Sequence, residues 1–341
     1  MKPRLVLIVL AVCISSLLLA CPRGDPYALW RAQPNPFVVV VSKVDSEAGE
    51  VYLLDKVGVA TRLTNNARME NNVALSPDRT KVAFHAGAPD DYASWEIFVL
   101  DLATLEETQV TDNAVLDGHP DWSPDGSRIV FASFQDDQGN PTATADVYVV
   151  NVDGTGLVRL TDSPWEDNDP EWSPDGTMIA FKSTRRTQQA AREEVYVMDA
   201  DGGNVRRLTT TSGWESDHDV SWSPDSSTIA FMRFSGTRPW TDIGNPEVVA
   251  DHWDEVTPWN PCKVDLEGNF VQLTDTDQVY ALPVFSADGA KVLFYSIEPT
   301  SILGVPTGAR RRLYLINADG GGQAPLVPDG PLVNALEYFD W

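Results

Sequence analysis

A six-bladed β-propeller, all-β with four antiparallel strands per blade, is the fold this sequence predicts, and three observations predict it. Ser-Pro-Asp recurs at Ser76, Ser123, Ser173 and Ser223, with Ser286-Ala287-Asp288 as a degenerate fifth copy, at spacings of 47, 50, 50 and 63 residues. Each copy sits inside the same longer unit, which reads as four short β segments. The chain closes on Tyr338-Phe339-Asp340-Trp341, which matches Pro120-Asp121-Trp122 with the repeat stopped at its tryptophan. A period of about 50 residues with four strands per period marks a propeller blade rather than a solenoid coil.

In chain order, residues 1–20 read as a signal peptide: Lys2 and Arg4 precede an apolar run from Leu5 to Leu19 that is too short to span a bilayer comfortably. Leu18-Leu19-Ala20-Cys21 resembles the lipobox of bacterial lipoproteins, which implies cleavage before Cys21 and acylation of that cysteine. Pro22 stands where an inner-membrane retention signal would place Asp, so a Gram-negative host would carry the protein on the outer membrane, facing the periplasm. Residues 21–36 form a lipidated linker whose Pro, Gly and Arg content suits an extended spacer. Residues 37–341 form the propeller.

Complete blades begin near Asn72, His119, Asp169, Asp219 and Leu282. The sixth is assembled from both ends of the chain, with outer strands from Phe37 to Ser42, Glu50 to Asp55 and Thr61 to Thr64 and an inner strand ending at Trp341. Sharing a blade in this way closes the ring and removes exposed sheet edges. In the clearest repeat, Pro170-Glu171-Trp172-Ser173-Pro174-Asp175-Gly176 leads into Met178-Ile179-Ala180-Phe181, then Val195-Tyr196-Val197, then Arg207-Leu208-Thr209. Ser, Pro and Gly fall at the first, second and fourth places of a type I turn, where each is favoured, so Ser-Pro-Asp-Gly connects the first two strands. Arg79 and Ser226 replace the glycine in two repeats, where a left-handed backbone would cost about 1 kcal/mol. Asp153-Gly154, Asp201-Gly202 and Asp319-Gly320 mark a second tight turn, between the third and fourth strands.

The Trp-Ser-Pro-Asp-Gly, Ile-Ala-Phe, Val-Tyr-Val and Arg-Leu-Thr pattern resembles the propeller of the TolB family of periplasmic proteins over residues 37–341. The resemblance implies an extracytoplasmic β-propeller that engages other envelope proteins. TolB carries a further N-terminal α/β domain, and the resemblance covers the propeller part alone.

Charge narrows the partners. The chain has a formal net charge of −25, and loss of residues 1–20, which contain Lys2 and Arg4 and no acid, takes it to −27. Such a surface repels nucleic-acid backbones and anionic headgroups, so nucleic acid is excluded and contact with the membrane runs through the lipid alone. Of three cysteines, Cys13 leaves with the signal and Cys21 carries lipid, so Cys262 has no intramolecular partner and disulfides do not hold the fold. A propeller hydrolase would need a second α/β domain and a Gly-x-Ser-x-Gly elbow, and the sequence contains neither. Trp122, Trp172, Trp222 and Trp341 recur once per blade, with Leu75 and Phe285 in equivalent places, and read as inter-blade core.

Antiparallel strands alternate direction, so the loop between the second and third strands emerges on the same face as the blade-to-blade loop, opposite the Ser-Pro-Asp-Gly turns. That face receives the polar entries to the inner strands, among them Asp117, His119, Asp167, Asp169, Asp217, His218 and Asp219, around one channel mouth. It also receives a long insertion between Phe234 and Pro258 that contains Trp240, Asp251, His252 and Trp253. These residues make up the candidate binding face. No cofactor is firmly implied. Carboxylates converging from neighbouring blades are hard oxygen ligands, so Asp169, Asp217 and Asp219 are candidates for Ca²⁺, with solvated loop acids or turn caps as the alternative. His119 and His218 occupy near-equivalent places, while His85 lies on a strand as packing. Lys182, Arg185, Arg186 and Arg192 crowd one blade, and Arg185 reads as half of a structural salt bridge.

These readings give a non-catalytic, monomeric envelope lipoprotein that binds a protein or peptide through the insertion-bearing face. Two alternatives stand beside it: a metal-dependent carbohydrate lyase, hydrolase or lactonase acting at the channel mouth, and a small-ligand sensor or structural scaffold.

Overall fold

The computed structural model describes residues 37–42, 49–55, 60–134, 144–185, 192–213, 215–235, 259–276, 279–286, 288–302, 305–325 and 338–340, and every regular element among them is a β-strand. The strands fall into four-stranded antiparallel meanders, as the repeat predicts. The second blade runs β4 (Met69–Leu75), β5 (Lys81–Ala88), β6 (Asp91–Asp101) and β7 (Glu107–Gln109). The third runs β8 (Asp117–Trp122), β9 (Arg128–Ser133), β10 (Asp146–Asn151) and β11 (Val158–Arg159). The fourth runs β12 (Asp167–Trp172), β13 (Met178–Ser183), β14 (Glu194–Asp199) and β15 (Arg206–Arg207). One eight-stranded sheet comprises two further meanders joined by a single parallel bridge, Trp259 to Val279. Its halves are β16 (Ser216–Trp222), β17 (Thr228–Phe234), β18 (Trp259–Asp265) and β19 (Phe270–Gln272), then β20 (Val279–Phe285), β21 (Lys291–Ile302), β22 (Val305–Asn317) and β23 (Ala324–Pro325).

The remaining sheet joins the two ends of the chain. Strands β1 (Phe37–Ser42), β2 (Glu50–Asp55) and β3 (Ala60–Arg62) pair in order, and β24 (Tyr338–Asp340) lies antiparallel on β1 with Val40 opposite Phe339. The shared sheet foreseen from the chain termini is therefore present; Trp341 lies outside the described residues.

Each Ser-Pro-Asp turn is built by its own side chains. Ser123 Oγ donates to Asp125 Oδ1 at 2.7 Å, the same oxygen accepts Ser127 N at 3.0 Å, and Gly126 N closes the turn on Ser123 O at 2.8 Å. These donors hold the Asp125 carboxyl down at about 2. The fourth position is left-handed in every copy, with φ of 69° at Gly126 and 72° at Gly176, and equally 58° at Arg79 and at Ser226. Arg79 and Ser226 thus carry the strain that their sequences imply.

The tryptophans end the inner strands between blades. Trp122 is 4% exposed and donates Nε1 to Ala74 O of the preceding blade at 3.0 Å. It packs with Ala83 and Ile97 of that blade and with Ile129 and Phe131 of its own. Trp222 repeats the bond to Glu171 O at 3.1 Å. Cys262 is buried, and burial pushes its thiol pKa well up, which leaves it an inert apolar filler.

Two faces follow from the meander, and backbone bonds identify them. Phe134 N reaches Leu116 O at 3.0 Å and Thr184 N reaches Glu166 O at 3.1 Å, so the loops after the second strands meet the blade-to-blade connections. On the other face, Val152 N meets Ser127 O at 3.2 Å, joining the two kinds of tight turn.

Candidate functional site

Every complete inner strand is broken at one place. The register of β4, β8, β12, β16 and β20 against its neighbour shifts just after its second or third residue. The residue at the shift is left-handed in each: Asn72 (φ 43°), His119 (54°), Asp169 (55°), Asp219 (54°) and Leu282 (50°). Bulges of this kind turn a side chain and its amide out of the pleat. The five partly exposed residues then link up across the blades. Asn72 Nδ2 lies 2.7 Å from His119 Nδ1, which lies 3.1 Å from Asp169 Oδ1. Asp219 N donates to Asp169 Oδ2 at 3.2 Å, and Leu282 N to Asp219 Oδ2 at 3.4 Å. From Asn72 to Leu282, neighbouring blades are fastened by one chain of polar contacts along the inner strands.

Buried polar groups lie behind this chain. His85 is buried, its Nδ1 accepts His119 N at 3.1 Å, and desolvation and then the neighbouring His119 hold its pKa well below the usual imidazole value. Lys182 Nζ lies 3.4 Å from Glu193 Oε1 and 3.4 Å from His218 Nδ1. His218 Nε2 stands 2.8 Å from Glu193 Oε2 and 3.0 Å from Ser216 Oγ, with its ring 4.8 Å from that of Trp259. Burial opposes ionisation of Glu193, but His218 and Lys182 outweigh it and bring its pKa to about 2. Burial likewise opposes charge on Lys182, and Glu193, Asp169, Glu166 and Asp219 outweigh it, so its pKa is raised. Burial also disfavours the Asp169 anion, yet the hydrogen bond and charge of His119 and the charge of Lys182 hold its pKa well down. Asp219 goes the other way, raised by burial and by the adjacent Asp169. Ser216, His218 and Glu193 do not form a nucleophile relay. Serine and carboxylate meet the same ring nitrogen, whereas a relay needs one on each.

The structure divides the predicted site residues. His119, Asp169 and Asp219 belong to the inter-blade chain, and His218 lies buried behind it. Asp117, Asp167 and Asp217 do not line the channel mouth, which corrects the expectation for them: each is fully buried and consumed inside the sheet. Asp117 accepts Ser133 Oγ and, at 2.8 Å, Asn113 Nδ2. Asp167 accepts Ser183 Oγ at 2.6 Å and Arg185 Nε at 2.9 Å, which is the salt bridge expected of Arg185. Asp217 accepts Arg233 Nε and Nη2, both at 2.7 Å. The Ca²⁺ trio is therefore split, because Arg233 holds Asp217 away while Asp169 meets the His119 ring and the Asp219 amide and Asp219 Oδ2 accepts the Leu282 amide. Among the described residues no three His, Cys, Asp or Glu side chains converge for a metal. The basic group also disperses: Lys182 sits behind the channel, Arg192 donates to Thr211 O at 2.7 Å, and Arg186 lies outside the described residues. Cys21, Trp240, Asp251, His252 and Trp253 lie outside them as well.

Sequence reasoning missed the bulge, although a signal for it existed. Asn72, His119, Asp169 and Asp219 each stand four residues before a Ser-Pro-Asp serine. Asn, Asp and His are the residue types enriched at positive φ.

Comparison with known proteins places this architecture. The TolB beta propeller domain family matches residues 74–257, more than half of the chain. An uncharacterized protein of Agrobacterium fabrum is 31% identical over 108 residues, which span 31% of this chain and 36% of that protein. TolB from Acinetobacter baumannii superposes with a TM-score of 0.59 at 21% identity, over 88% of this chain and 65% of that one. An oligogalacturonate lyase in complex with manganese superposes with a TM-score of 0.56 at 19% identity, over 84% of this chain and 72% of that one. At these identities the two solved structures share a fold with this chain. The chain spans less than two thirds of both the Agrobacterium protein and TolB.

Proposed function

Because this chain belongs to the TolB beta propeller domain family, we propose that it is a non-catalytic binding module of the cell envelope, recognising a protein or peptide through the face of the blade-to-blade loops. The observation that carries this reading is the inter-blade chain from Asn72 to Leu282. Its carboxylates and imidazole are occupied with one another and with neighbouring amides. Polar groups committed in this way stiffen a scaffold rather than perform turnover, and loops on a rigid scaffold are where recognition commonly resides. We assign the insertion with Trp240, Asp251, His252 and Trp253 to that face because it joins the paired ends of β17 and β18 there, and tryptophan is enriched among binding anchors.

In this reading the protein is extracytoplasmic and monomeric, held to the membrane by acylated Cys21, with the shared sheet closing a ring of six blades. No helix among the described residues is long and apolar enough to cross a membrane. The structural likeness to a manganese-bound lyase favours a second reading, a metal-dependent enzyme at the channel mouth, but the described channel residues do not make a ligand set for a metal. Partner capture separates the readings. Trp240→Ala with Trp253→Ala should weaken capture by on the order of tenfold or more while the melting temperature holds. Full capture by that variant, or a stoichiometric divalent metal in the purified protein, would count against a binding module built on this face.

A further inference from the structure

Four joints between neighbouring blades each hold two carboxylates, one on the third strand of a blade and one at the first or second residue of the inner strand of the next. The pairs are Glu50 with Glu70, Glu96 with Asp117, Asp146 with Asp167, and Glu194 with Asp217, all buried. Backbone bonds fasten three of these joints, from Glu70 N to Gly49 O at 3.1 Å, Asp167 N to Ala145 O at 2.8 Å and Asp217 N to Glu193 O at 3.0 Å.

In the two later joints every carboxylate has its own guanidinium. Arg159 meets Asp146 at 2.6 Å and Arg185 meets Asp167 at 2.9 Å; Arg207 meets Glu194 at 3.1 Å and Arg233 meets Asp217 at 2.7 Å. Arg159 and Arg207 each stand two residues before a recurring threonine, Thr161 or Thr209, and Arg62 stands likewise before Thr64 and pairs with Glu50. Before Thr111 that position is Gln109, in the same register opposite Phe98 as Arg159 is opposite Tyr148. Ser133 stands where Arg233 does.

Glu96 and Asp117, 4% and 0% exposed, therefore share a joint with no cation among the described residues. Around them are Thr111 Oγ1, which donates to Glu96 at 2.6 Å, and Asn113, whose N donates to Glu96 at 2.7 Å and whose Nδ2 donates to Asp117 at 2.8 Å. Ser133 Oγ donates to Asp117, and on the adjacent outer strand Glu107 is taken by Arg68. Two buried carboxylates facing one another repel when both are charged and hydrogen-bond when one is protonated. We propose that this joint is closed by a proton where the two later joints use guanidinium, which makes it a pH-sensitive joint between blades. Burial first, with Asp117 adding to it against the Thr111 and Asn113 bonds, raises Glu96 to about 7. Burial raises Asp117 too. Glu70, which lacks a second-strand partner because Ala86 lies opposite it, is also raised to about 7 by burial. A carboxyl raised in the fold contributes stability that is complete below its unfolded pKa and lost as pH rises through its folded one, so the joint weakens from about pH 5 to pH 8.

The test is urea unfolding from pH 5 to pH 8 of the full chain, Glu96→Gln, Gln109→Arg and Gln272→Arg. Gln272 stands in the same register, but in its blade the carboxylate position is Asn260. Glu96→Gln and Gln109→Arg should gain on wild type as pH rises, with the folding equilibrium ratio changing by on the order of a hundredfold. Gln272→Arg should run parallel to wild type. If both joint variants also run parallel to it, the proposal is wrong; equal gains from Gln272→Arg and Gln109→Arg would assign the effect to general charge relief and overturn it too. Should Glu96→Gln fail to fold, Gln109→Arg decides alone.

Discussion

Replacing Asp169 tests the inter-blade chain at the residue that joins three blades. Its side chain accepts His119 of the third blade and the Asp219 amide of the fifth, at 3.1 and 3.2 Å, and its backbone is left-handed at φ 55°. Asp169→Ala removes both acceptors and keeps a β-carbon at a left-handed position without the short polar side chain that lets Asn and Asp sit there easily. Asp169 and His119 are partly exposed, so water can replace part of each bond and the loss is about 1 kcal/mol apiece, with about 1 kcal/mol more for alanine in the left-handed region. The sum is about 3 kcal/mol. Asp169→Gly loses the same bonds without the strain and should be about 1 kcal/mol more stable than Asp169→Ala. Asp169→Asn keeps an acceptor and tolerates the backbone, at about 1 kcal/mol. Because the folded Asp169 pKa is depressed, its advantage over Asn is present above the unfolded pKa and should fade as pH falls below about 4. Urea midpoints read by tryptophan fluorescence measure all three variants. An alanine variant within 0.5 kcal/mol of wild type, or one more stable than the glycine variant, refutes the reasoning.

Three further outcomes are expected. Gly202 has φ 87° and its missing β-carbon would lie 2.8 Å from Leu160 O of the neighbouring blade, whereas Gly213, at φ 56°, has nothing within 4 Å. Gly202→Ala should therefore destabilise more than Gly213→Ala in the same denaturation assay, since strain alone costs about 1 kcal/mol; equal losses would mean that the approach to Leu160 O carries no energy. Deleting residues 335–341 removes β24 and exposes the β1 edge, so the melting temperature should fall sharply in calorimetry, and an unchanged curve would contradict a closed ring. Cys21→Ser should release the protein from membranes or block its processing, and mass spectrometry that finds no acyl group on wild-type Cys21 would remove the anchor from the account.

Most of the fold was legible because it is periodic. One turn sequence, a large apolar residue, most often tryptophan, closing the inner strand, and an Arg-Leu-Thr or Gln-x-Thr segment at the outer strand repeat at blade spacing, and repetition overrides the ambiguity of any single short apolar run. The site was legible only in part. Strict alternation along an inner strand puts Asp167 and Asp169 on one side together, and the bulge between Asn168 and Glu171 cancels that inference, leaving one carboxylate buried in the sheet and the other in the chain of contacts between blades. The partners of the buried acids, such as Arg233 for Asp217, come from a different strand sixteen residues away. Their pairing depends on register, which composition does not carry. What the sequence did carry about those acids was a comparison between repeats: Gln109 in the place of Arg62, Arg159 and Arg207.

The central claim, a binding module that uses the blade-to-blade face, is tested most directly by photo-crosslinking amino acids placed at single positions in intact cells. Ala114, Pro164 and Ser212 are exposed in the blade-to-blade connections, and Ser127, Thr177 and Ser227 are exposed in the opposite turns. Each variant would be checked for an unchanged melting temperature before irradiation. The account predicts adducts with one and the same envelope protein from the first three positions and none from the second three. Adducts from the turn positions alone, or equal labelling from both faces, would contradict it.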